Sequence, residues 1–182
     1  MLNKKKEILP SREECIKLIR ENNPENVVKH SLIVNKIAMY LGKKLKKKGK
    51  KINLDLLDRA SLLHDIDKIE SLRNGNHGVI GEKMLKEKGL HKIAKIVRKH
   101  VLDQILLGFD SLEEKIVFYA DKRVVDDKIV SLDERLKYIL NRYGHLNKKL
   151  QKRYSEIEKK INKLEKNIFS EIKISKELKE LK

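Results

Sequence analysis

Six side chains that can ligate a metal recur at inward-facing positions along this chain. They are His30, His64, Asp65, His77, His100 and Asp121. Residues three or four positions apart share one face of a helix. On that spacing His30 aligns with Val27 and Val34, and Asp121 aligns with Val117. Five predicted helices thus each present a polar side chain on an apolar face, and Asp65 stands beside one of them, in the stretch SLLHDIDKIE.

The grouping of these residues predicts a metal centre. One histidine on an apolar face is usually a core residue with a hydrogen-bond partner, but four histidines with two buried carboxylates need another explanation. A buried, ionised carboxylate is very costly unless it is paired or coordinates a metal. Lys122 and Arg123, the basic neighbours of Asp121, are predicted to point elsewhere on their helix. The other two histidines, His91 and His145, are predicted at the surface.

The ligand types limit which metal the centre would hold. Imidazole and carboxylate ligands without a thiolate disfavour a structural zinc site and suit Fe, Mn, Co, Ni, Zn or Mg in an open site with bound water. Six ligands are too many for one ion that keeps room for water, but they suffice for two ions if one carboxylate bridges. Two ions about 3.5–4 Å apart can activate a water molecule and hold both sides of a phosphoryl displacement. We therefore expect one or two divalent transition-metal ions.

The elements that position these residues are predicted to be helices. Stretches in which β-branched residues alternate with polar residues, the pattern typical of strands, are scarce. Pro10 and Pro24 lie near predicted helix starts. Asn23 is the predicted N-cap of a helix that runs toward the lysine-rich stretch after Gly42, and Asp110 or Ser111 is a predicted N-cap further on. The remaining predicted helices span Leu54–Asp65, His77–Lys88, Leu90–Leu102, Ser111–Asp127 and Ser131–Tyr143. The predicted fold class is all-α, a compact helical bundle.

A long charged helix is predicted beyond a break at Gly144. Its single apolar stripe consists of Leu146, Leu150, Tyr154, Ile157, Ile161, Leu164, Ile168 and Ile172. We expect a domain over residues 1–144 and an amphipathic extension over residues 145–182. The preferred interpretation is a helix laid across the domain, and the alternative is a helix that forms a homodimer.

Composition narrows the class of partner. The net charge of +17 would suit nucleic-acid binding, but lysines greatly outnumber arginines and Trp is absent, whereas base recognition and stacking favour Arg and aromatic residues. A positive field also attracts an anionic small molecule, such as a nucleotide. The single cysteine, Cys15, predicts a reducing cytoplasm. No apolar run approaches 18 residues and no secretory signal is evident, so neither a membrane span nor secretion is expected.

The order of the candidate ligands resembles the HD superfamily of metal-dependent phosphohydrolases. The shared pattern is a histidine, an adjacent His-Asp pair at a helix end and a distant aspartate, here His30, His64-Asp65 and Asp121. The stretch HDIDK is similar to the HDIGK form, with Asp67 in place of glycine. HGVIGEKML resembles the segment that follows in a subgroup with two additional metal-site histidines, here His77 and His100. The resemblance covers Asn23 to Tyr143.

The resemblance implies a compact all-α fold with the site in a cleft between helices. It implies one metal held by His30, His64, Asp65 and Asp121, and a second metal held by His77 and His100 and bridged by Asp65. Lys68 matches a lysine that contacts a substrate phosphate in related members, although a solvated residue just past a helix end is the alternative interpretation. Arg123 is a further candidate for contact with the phosphate.

Departures from related patterns narrow the substrate. No Gly-Tyr-Pro motif follows HDIDK, which argues against the cyclic-di-GMP phosphodiesterases, and the Glu-Asp pair of alarmone hydrolases is missing. The additional histidine pair resembles that of small bacterial enzymes that split diadenosine tetraphosphate symmetrically. Asp67 in place of glycine leaves the shape of the turn after the His-Asp pair open.

These residues predict a hydrolase that cleaves a phosphoester or phosphoanhydride bond in a nucleotide or dinucleoside polyphosphate, by means of a metal-activated water. The predicted catalytic residues are Asp65, Lys68 and Arg123. One alternative is a non-catalytic nucleotide- or RNA-binding module, whose binding would be sensitive to salt. Another is a helical scaffold without metal, whose C-terminal helix mediates assembly.

Overall fold

The computed structural model describes residues 8–143 and 148–181. Its helices are α1 (Arg12–Asn22), α2 (Glu25–Lys47), α3 (Leu54–Leu63), α4 (Lys68–Asn74), α5 (Val79–Glu87), α6 (His91–Lys99), α7 (Leu112–Asp121), α8 (Leu132–Tyr143) and α9 (Lys148–Ile172). Two 3₁₀ helices (Leu102–Leu106 and Lys179–Leu181) and an antiparallel ribbon of β1 (Val124–Val125) and β2 (Lys128–Ile129) complete the described elements. The predicted all-α class is confirmed. None of the helices in these ranges is long and apolar enough to cross a membrane.

Part of the sequence-based prediction falls outside the described residues. The predicted break at Gly144, the surface position of His145 and the stripe residue Leu146 lie between the two described ranges, and the side chain of Leu150 is also outside them. The boundary between residues 144 and 145, at which we divide the chain into a domain and an extension, lies in the same gap.

Local side-chain caps begin several of the helices. Ser11 and Glu14 form a capping box at the start of α1, and Ser111 caps α7 by accepting from the backbone N–H of Glu114. The predicted capping role of Asn23 is wrong, because Pro24 occupies the N-cap position of α2. The Asn23 amide instead donates to the carbonyl of Ile66, at 2.9 Å, and so ties the start of α2 to the turn after the His-Asp pair.

Several helices end where the candidate ligands begin. α3 stops at Leu63, just before His64, and His100 is the C-cap of α6. The predicted helix to Asp127 is wrong beyond Asp121, because the chain turns into the β1–β2 ribbon. β-Branched residues favour the extended conformation of β1, and Asp126 in the turn has a positive φ of 54°. His77 lies in the loop before α5 instead of beginning a helix.

The core lies between helices α2, α3, α6 and α7. Each of these helices contributes apolar side chains with no exposed surface, among them Ile37, Leu57, Ile93 and Val117. Burial of such side chains stabilises the fold by about 1.5–3 kcal/mol each. Within this core α2, which carries His30, packs against α3 and α7, and α6 packs against the same two helices.

Helix α9 lies across this core. Its apolar stripe buries Ile157 and Ile161 in a second cluster with Phe118 of α7 and Leu136 of α8. Further along, Ile168 joins the main core. The stripe seen in the sequence is thus covered by the same chain over these positions.

Candidate metal centre

The His-Asp pair occupies a tight turn between α3 and α4. His64 is fully buried, and its Nδ1 lies 2.9 Å from the carbonyl oxygen of Ser61, one turn earlier in α3. Asp65 is only 4% exposed. The turn is fixed from outside by the hydrogen bond from Asn23 to the Ile66 carbonyl. Both polar side chains therefore point inward from a rigid position.

All four candidate histidines are anchored through Nδ1. His30, His64 and His100 each place this nitrogen against a backbone carbonyl, that of Asp126 at 2.8 Å, Ser61 at 2.9 Å and Val97 at 2.5 Å, respectively. His77 Nδ1 instead lies 2.9 Å from Oδ1 of Asp67. An acceptor at Nδ1 holds the proton there and leaves the Nε2 lone pair available for a metal. The four rings are thus held on the Nδ1 side and turn Nε2, the atom that can ligate a metal, toward the centre.

The Nε2 atoms of His30 and His64 face two carboxylates. His30 Nε2 is 3.2 Å from Oδ1 of Asp121 and 3.9 Å from Oδ2 of Asp65. His64 Nε2 is 3.8 Å from each of these two oxygens. One ligand atom from each of His30, His64 and Asp65 lies within 4.8 Å of the others. The spacing is compatible with a single ion between them.

The second set of ligand atoms uses the other oxygen of Asp65. Oδ1 of Asp65 lies 3.0 Å from Nε2 of His77 and 3.4 Å from Nε2 of His100. The two imidazole Nε2 atoms are 3.0 Å apart. Since Oδ2 of Asp65 faces the first set and Oδ1 faces the second, this carboxylate has the geometry of a bridging ligand.

The surroundings of His64 Nε2 test whether these residues fit a metal. His64 Nε2 is completely buried and has no hydrogen-bond partner, which is a costly state for a polar atom unless something else occupies the space in front of it. The neighbouring imidazole and carboxylate atoms are hard or borderline ligands suited to divalent transition metals. The residues therefore fit one or two such ions.

Burial and nearby charge shift the pKa values in the centre. Burial lowers the pKa of His64 to about 3, which keeps its ring neutral. Burial also opposes charge on His77, but its contacts with Asp65 and Asp67 outweigh this and raise its pKa to about 9. For Asp65, burial acts to raise the pKa, yet the Lys68 charge and the facing histidines hold it well below its usual range. Asp65 is therefore an ionised carboxylate inside the protein.

Lys122 pairs with Asp121, contrary to the sequence-based prediction. Its side chain is 4% exposed, and its ammonium group donates to Oδ2 of Asp121 and to the carbonyl oxygen of His100, at 3.0 Å from the latter. A salt bridge thus accounts for one oxygen of Asp121. The other oxygen, Oδ1, faces His30 and His64 and remains available to a metal.

The centre opens into a cavity of about 420 Å³. Four of the six candidate ligands line this cavity, namely Asp65, His77, His100 and Asp121. Four basic side chains also line it: Lys68, Lys122, Arg135 and Arg153. Lys68 is the first residue of α4, and its Nζ lies 3.4 Å from Oδ2 of Asp65. The cavity is therefore rich in basic side chains that could contact an anion.

Arg123 does not line this cavity. Its buried guanidinium donates to the Tyr119 hydroxyl and to the carbonyl oxygens of Val130 and Lys176, and it lies 3.6 Å from Oε1 of Glu165. These contacts tie α7 to the C-terminal region. The predicted phosphate contact by Arg123 is therefore replaced by a structural role.

Sequence reasoning missed three residues at the site. Asp67 stood out only as a departure from glycine, although its side chain contacts His77. Arg135 and Arg153 gave no local signal, because they reach the cavity from helices far along the chain. His91, by contrast, is exposed, as its polar face predicted.

Comparisons with known proteins agree with this geometry. The HD domain model matches residues 27–125, more than half of the chain. An uncharacterised protein of Methanocaldococcus jannaschii is 33% identical over 147 residues, which cover 72% of this chain and 86% of that protein. A tRNA (cytidine(56)-2'-O)-methyltransferase of Picrophilus torridus is 27% identical over 154 residues, which cover 76% of this chain but only 42% of that enzyme. No solved structure matches the chain. The chain belongs to the HD domain family.

Proposed function

We propose that this protein is a metal-dependent phosphohydrolase that cleaves a phosphoester or phosphoanhydride bond in a nucleotide or dinucleoside polyphosphate. HD domains bind divalent metals and are generally hydrolases. The observation that carries the proposal is the convergence of four imidazole Nε2 atoms on the oxygens of Asp65 and Asp121, beside a cavity that four basic side chains line.

Two ligand sets would share Asp65. His30, His64, Asp65 and Asp121 would hold one ion, and His77 and His100 would hold the second, with Asp65 between them. A bound divalent metal supplies an activated water molecule and neutralises charge on phosphoryl oxygens. Asp65 is then the residue whose loss does most damage, because its two oxygens serve both sets.

The basic side chains around the cavity would bind and orient the substrate. Lys68 lies at the rim beside Asp65 with 31% of its side chain exposed, so its ammonium group can contact a phosphoryl oxygen and stabilise charge that develops there. Lys122 is buried and holds Oδ2 of Asp121, which fixes the direction of Oδ1. Lys68 is thus a candidate catalytic residue, whereas Lys122 positions Asp121.

Metal content is the most direct test. The protein is purified without chelators or metal-affinity columns, and its metals are measured in wild type, His64→Ala, Asp65→Ala and the control His91→Ala. We expect about two equivalents of transition metal in wild type and the control, and loss of metal in the two site variants. About one equivalent would restrict the metal to the His30 set and make His77 and His100 substrate contacts.

Turnover is then measured with nucleotides and dinucleoside polyphosphates in the presence of the metal found. We expect hydrolysis by wild type and His91→Ala and none by Asp65→Ala. The proposal fails if no metal binds even after Mn or Fe is added under reducing conditions, or if Asp65→Ala keeps full metal content and activity.

A second candidate is a non-catalytic nucleotide- or RNA-binding module. The support is the similarity to a protein named as a tRNA methyltransferase, together with the net charge of +17. Binding of RNA that weakens steeply with added salt, without hydrolysis of any nucleotide by the metal-loaded protein, would favour this candidate.

A further inference from the structure

The outer wall of the cavity comes from helices beyond the family match. The HD domain model ends at residue 125, whereas α8 and α9 follow it. α8 presents Arg135 and, one turn later, Ile139; α9 presents Arg153 and, one turn later, Ile157. Each helix thus contributes one guanidinium and one apolar side chain to the same cavity. The part of the chain that matches the HD domain model therefore does not include this wall.

Arg135 has unused hydrogen-bonding capacity. Its side chain is only 13% exposed, and its Nε is buried without any partner in the described structure. The contacts found for its guanidinium are a distant one to Asp121, with Nη2 3.5 Å from Oδ1, and one with the Tyr138 ring, 5.4 Å from the ring centre. A buried donor without an acceptor is costly, so this position favours a ligand that supplies acceptor oxygens.

Arg153 also favours a ligand that supplies acceptor oxygens. It forms no ion pair with any residue that the structure describes, and it is exposed at the cavity mouth. Its helix is fixed by Ile157, which is 1% exposed and packs with Phe118 and Leu136. The backbone that carries Arg153 is therefore fixed, so only the arginine side chain has to become ordered when it binds a ligand.

We propose that Arg135 and Arg153 form a second anion subsite, which selects substrates that carry a further phosphate beside the one at the metal centre. The guanidinium fork matches two phosphate oxygens at once. No Phe, Tyr or Trp is found among the described residues that line the cavity, so the subsite recognises phosphate instead of stacking on a base. The substrate class is a nucleotide with a polyphosphate chain, with little dependence on the base. The preference in turnover rests on the proposed function, whereas the binding of phosphate by the two arginines does not.

Substrate preference tests the subsite with a matched control. Arg153→Gln removes the guanidinium from an exposed position of α9, and Lys152→Gln removes one charge from the neighbouring position, which does not line the cavity. The readout is the ratio of kcat/KM for a nucleoside triphosphate to kcat/KM for p-nitrophenyl phosphate. We expect Arg153→Gln to lower this ratio about tenfold, because one charged hydrogen bond is lost, and Lys152→Gln to leave the ratio unchanged. An equal ratio in all three proteins would overturn the subsite.

A binding measurement tests the subsite independently of the proposed hydrolytic function. Inorganic tripolyphosphate is titrated into the metal-stripped protein and followed by calorimetry, with Arg153→Gln, Arg135→Gln and Lys152→Gln in parallel. We expect both arginine variants to bind about tenfold more weakly than wild type and Lys152→Gln to bind like wild type. This pattern would support the subsite even if the loaded protein hydrolysed nothing. Equal weakening by all three variants would mean general attraction to a basic surface and would overturn the subsite.

Discussion

Oδ1 of Asp67 lies 2.9 Å from Nδ1 of His77, while Oδ2 of the same carboxylate accepts the backbone N–H groups of Gly78 and Gly81 at 2.7 and 2.9 Å. Asp67 has no exposed surface. One buried side chain therefore sets the tautomer of His77 and also anchors the loop that carries it. Carboxylates behind a metal-binding histidine commonly have this orienting role.

We predict that Asp67→Asn weakens metal binding at the His77 and His100 set without unfolding the protein. The amide oxygen can still accept from Gly78 and Gly81, but the amide N–H₂ group then faces His77 Nδ1 and favours the tautomer with its proton on Nε2. That tautomer has no lone pair for the metal. The expected loss in affinity for the second ion is about 10–100-fold, measured by metal titration of stripped protein.

The control for this prediction is Asp103→Asn, which changes a carboxylate at the cavity lining that is not among the candidate ligands. It should leave the affinity for the second ion close to that of wild type. If Asp67→Asn also bound both ions like wild type, Asp67 would have no orienting role.

Gly78 is predicted to be far less tolerant of alanine than Gly49. Both have a positive φ, 79° and 80°, so each alanine variant loses about 1–2 kcal/mol from the backbone alone. A Cβ at Gly78 would also lie 2.6 Å from Cγ2 of Val101, whereas no atom lies within 4 Å of a Cβ at Gly49. Overpacking of this kind adds about 1–3 kcal/mol. Urea denaturation of Gly78→Ala and Gly49→Ala measures the difference, and equal losses would contradict the predicted clash.

Arg123 is predicted to stabilise the attachment of α9. Arg123→Met removes the buried cation beside Glu165, which is 8% exposed, and leaves this carboxylate with the neutral Tyr119 hydroxyl at 2.8 Å from Oε1 and the exposed Lys176 ammonium at 3.8 Å from Oε2. The loss of one partner from a buried ion pair costs about 3–5 kcal/mol. Thermal unfolding should show this loss, and the double variant Arg123→Met/Glu165→Met should recover part of it because no charge is then left unpaired. A double variant as unstable as the sum of the two single variants would contradict this account.

Cys15 is predicted to be unreactive in the folded protein. It has no exposed surface, and burial raises its pKa from 9.0 to about 12. A thiol-specific alkylating reagent at about pH 8 should modify it only after denaturation, since the thiolate is the reactive form. Modification at equal rates in native and denatured protein would contradict the burial of Cys15.

The same pKa shift predicts how stability depends on pH. Above pH 9.0 the unfolded thiol loses its proton while the folded thiol keeps it, so the free energy of unfolding falls as pH rises toward about 12. The advantage of wild type over Cys15→Ala should therefore shrink by about 1.4 kcal/mol per pH unit in that range. A difference that stayed constant with pH would argue against the raised pKa.

The local pattern of the sequence was sufficient to predict the all-α class and to identify the candidate metal ligands. Spacing of three or four residues identifies the face of a helix that turns inward, and this placed His30, His64, His100 and Asp121 on buried faces, where they lie. The same reasoning overextended the helix after Asp121, because a periodic apolar pattern does not reveal a turn formed by Asp126 with a positive φ.

The sequence by itself determined which residues could meet at a metal centre, because helix periodicity is local. Only the tertiary structure decided that Asp67 faces His77, that Lys122 pairs with Asp121 and that Arg123 serves α9 instead of the cavity. It also decided that Arg135 and Arg153 share one wall. The physical reason is that a side chain's partners lie on other helices, and their approach depends on how apolar faces pack across the whole core.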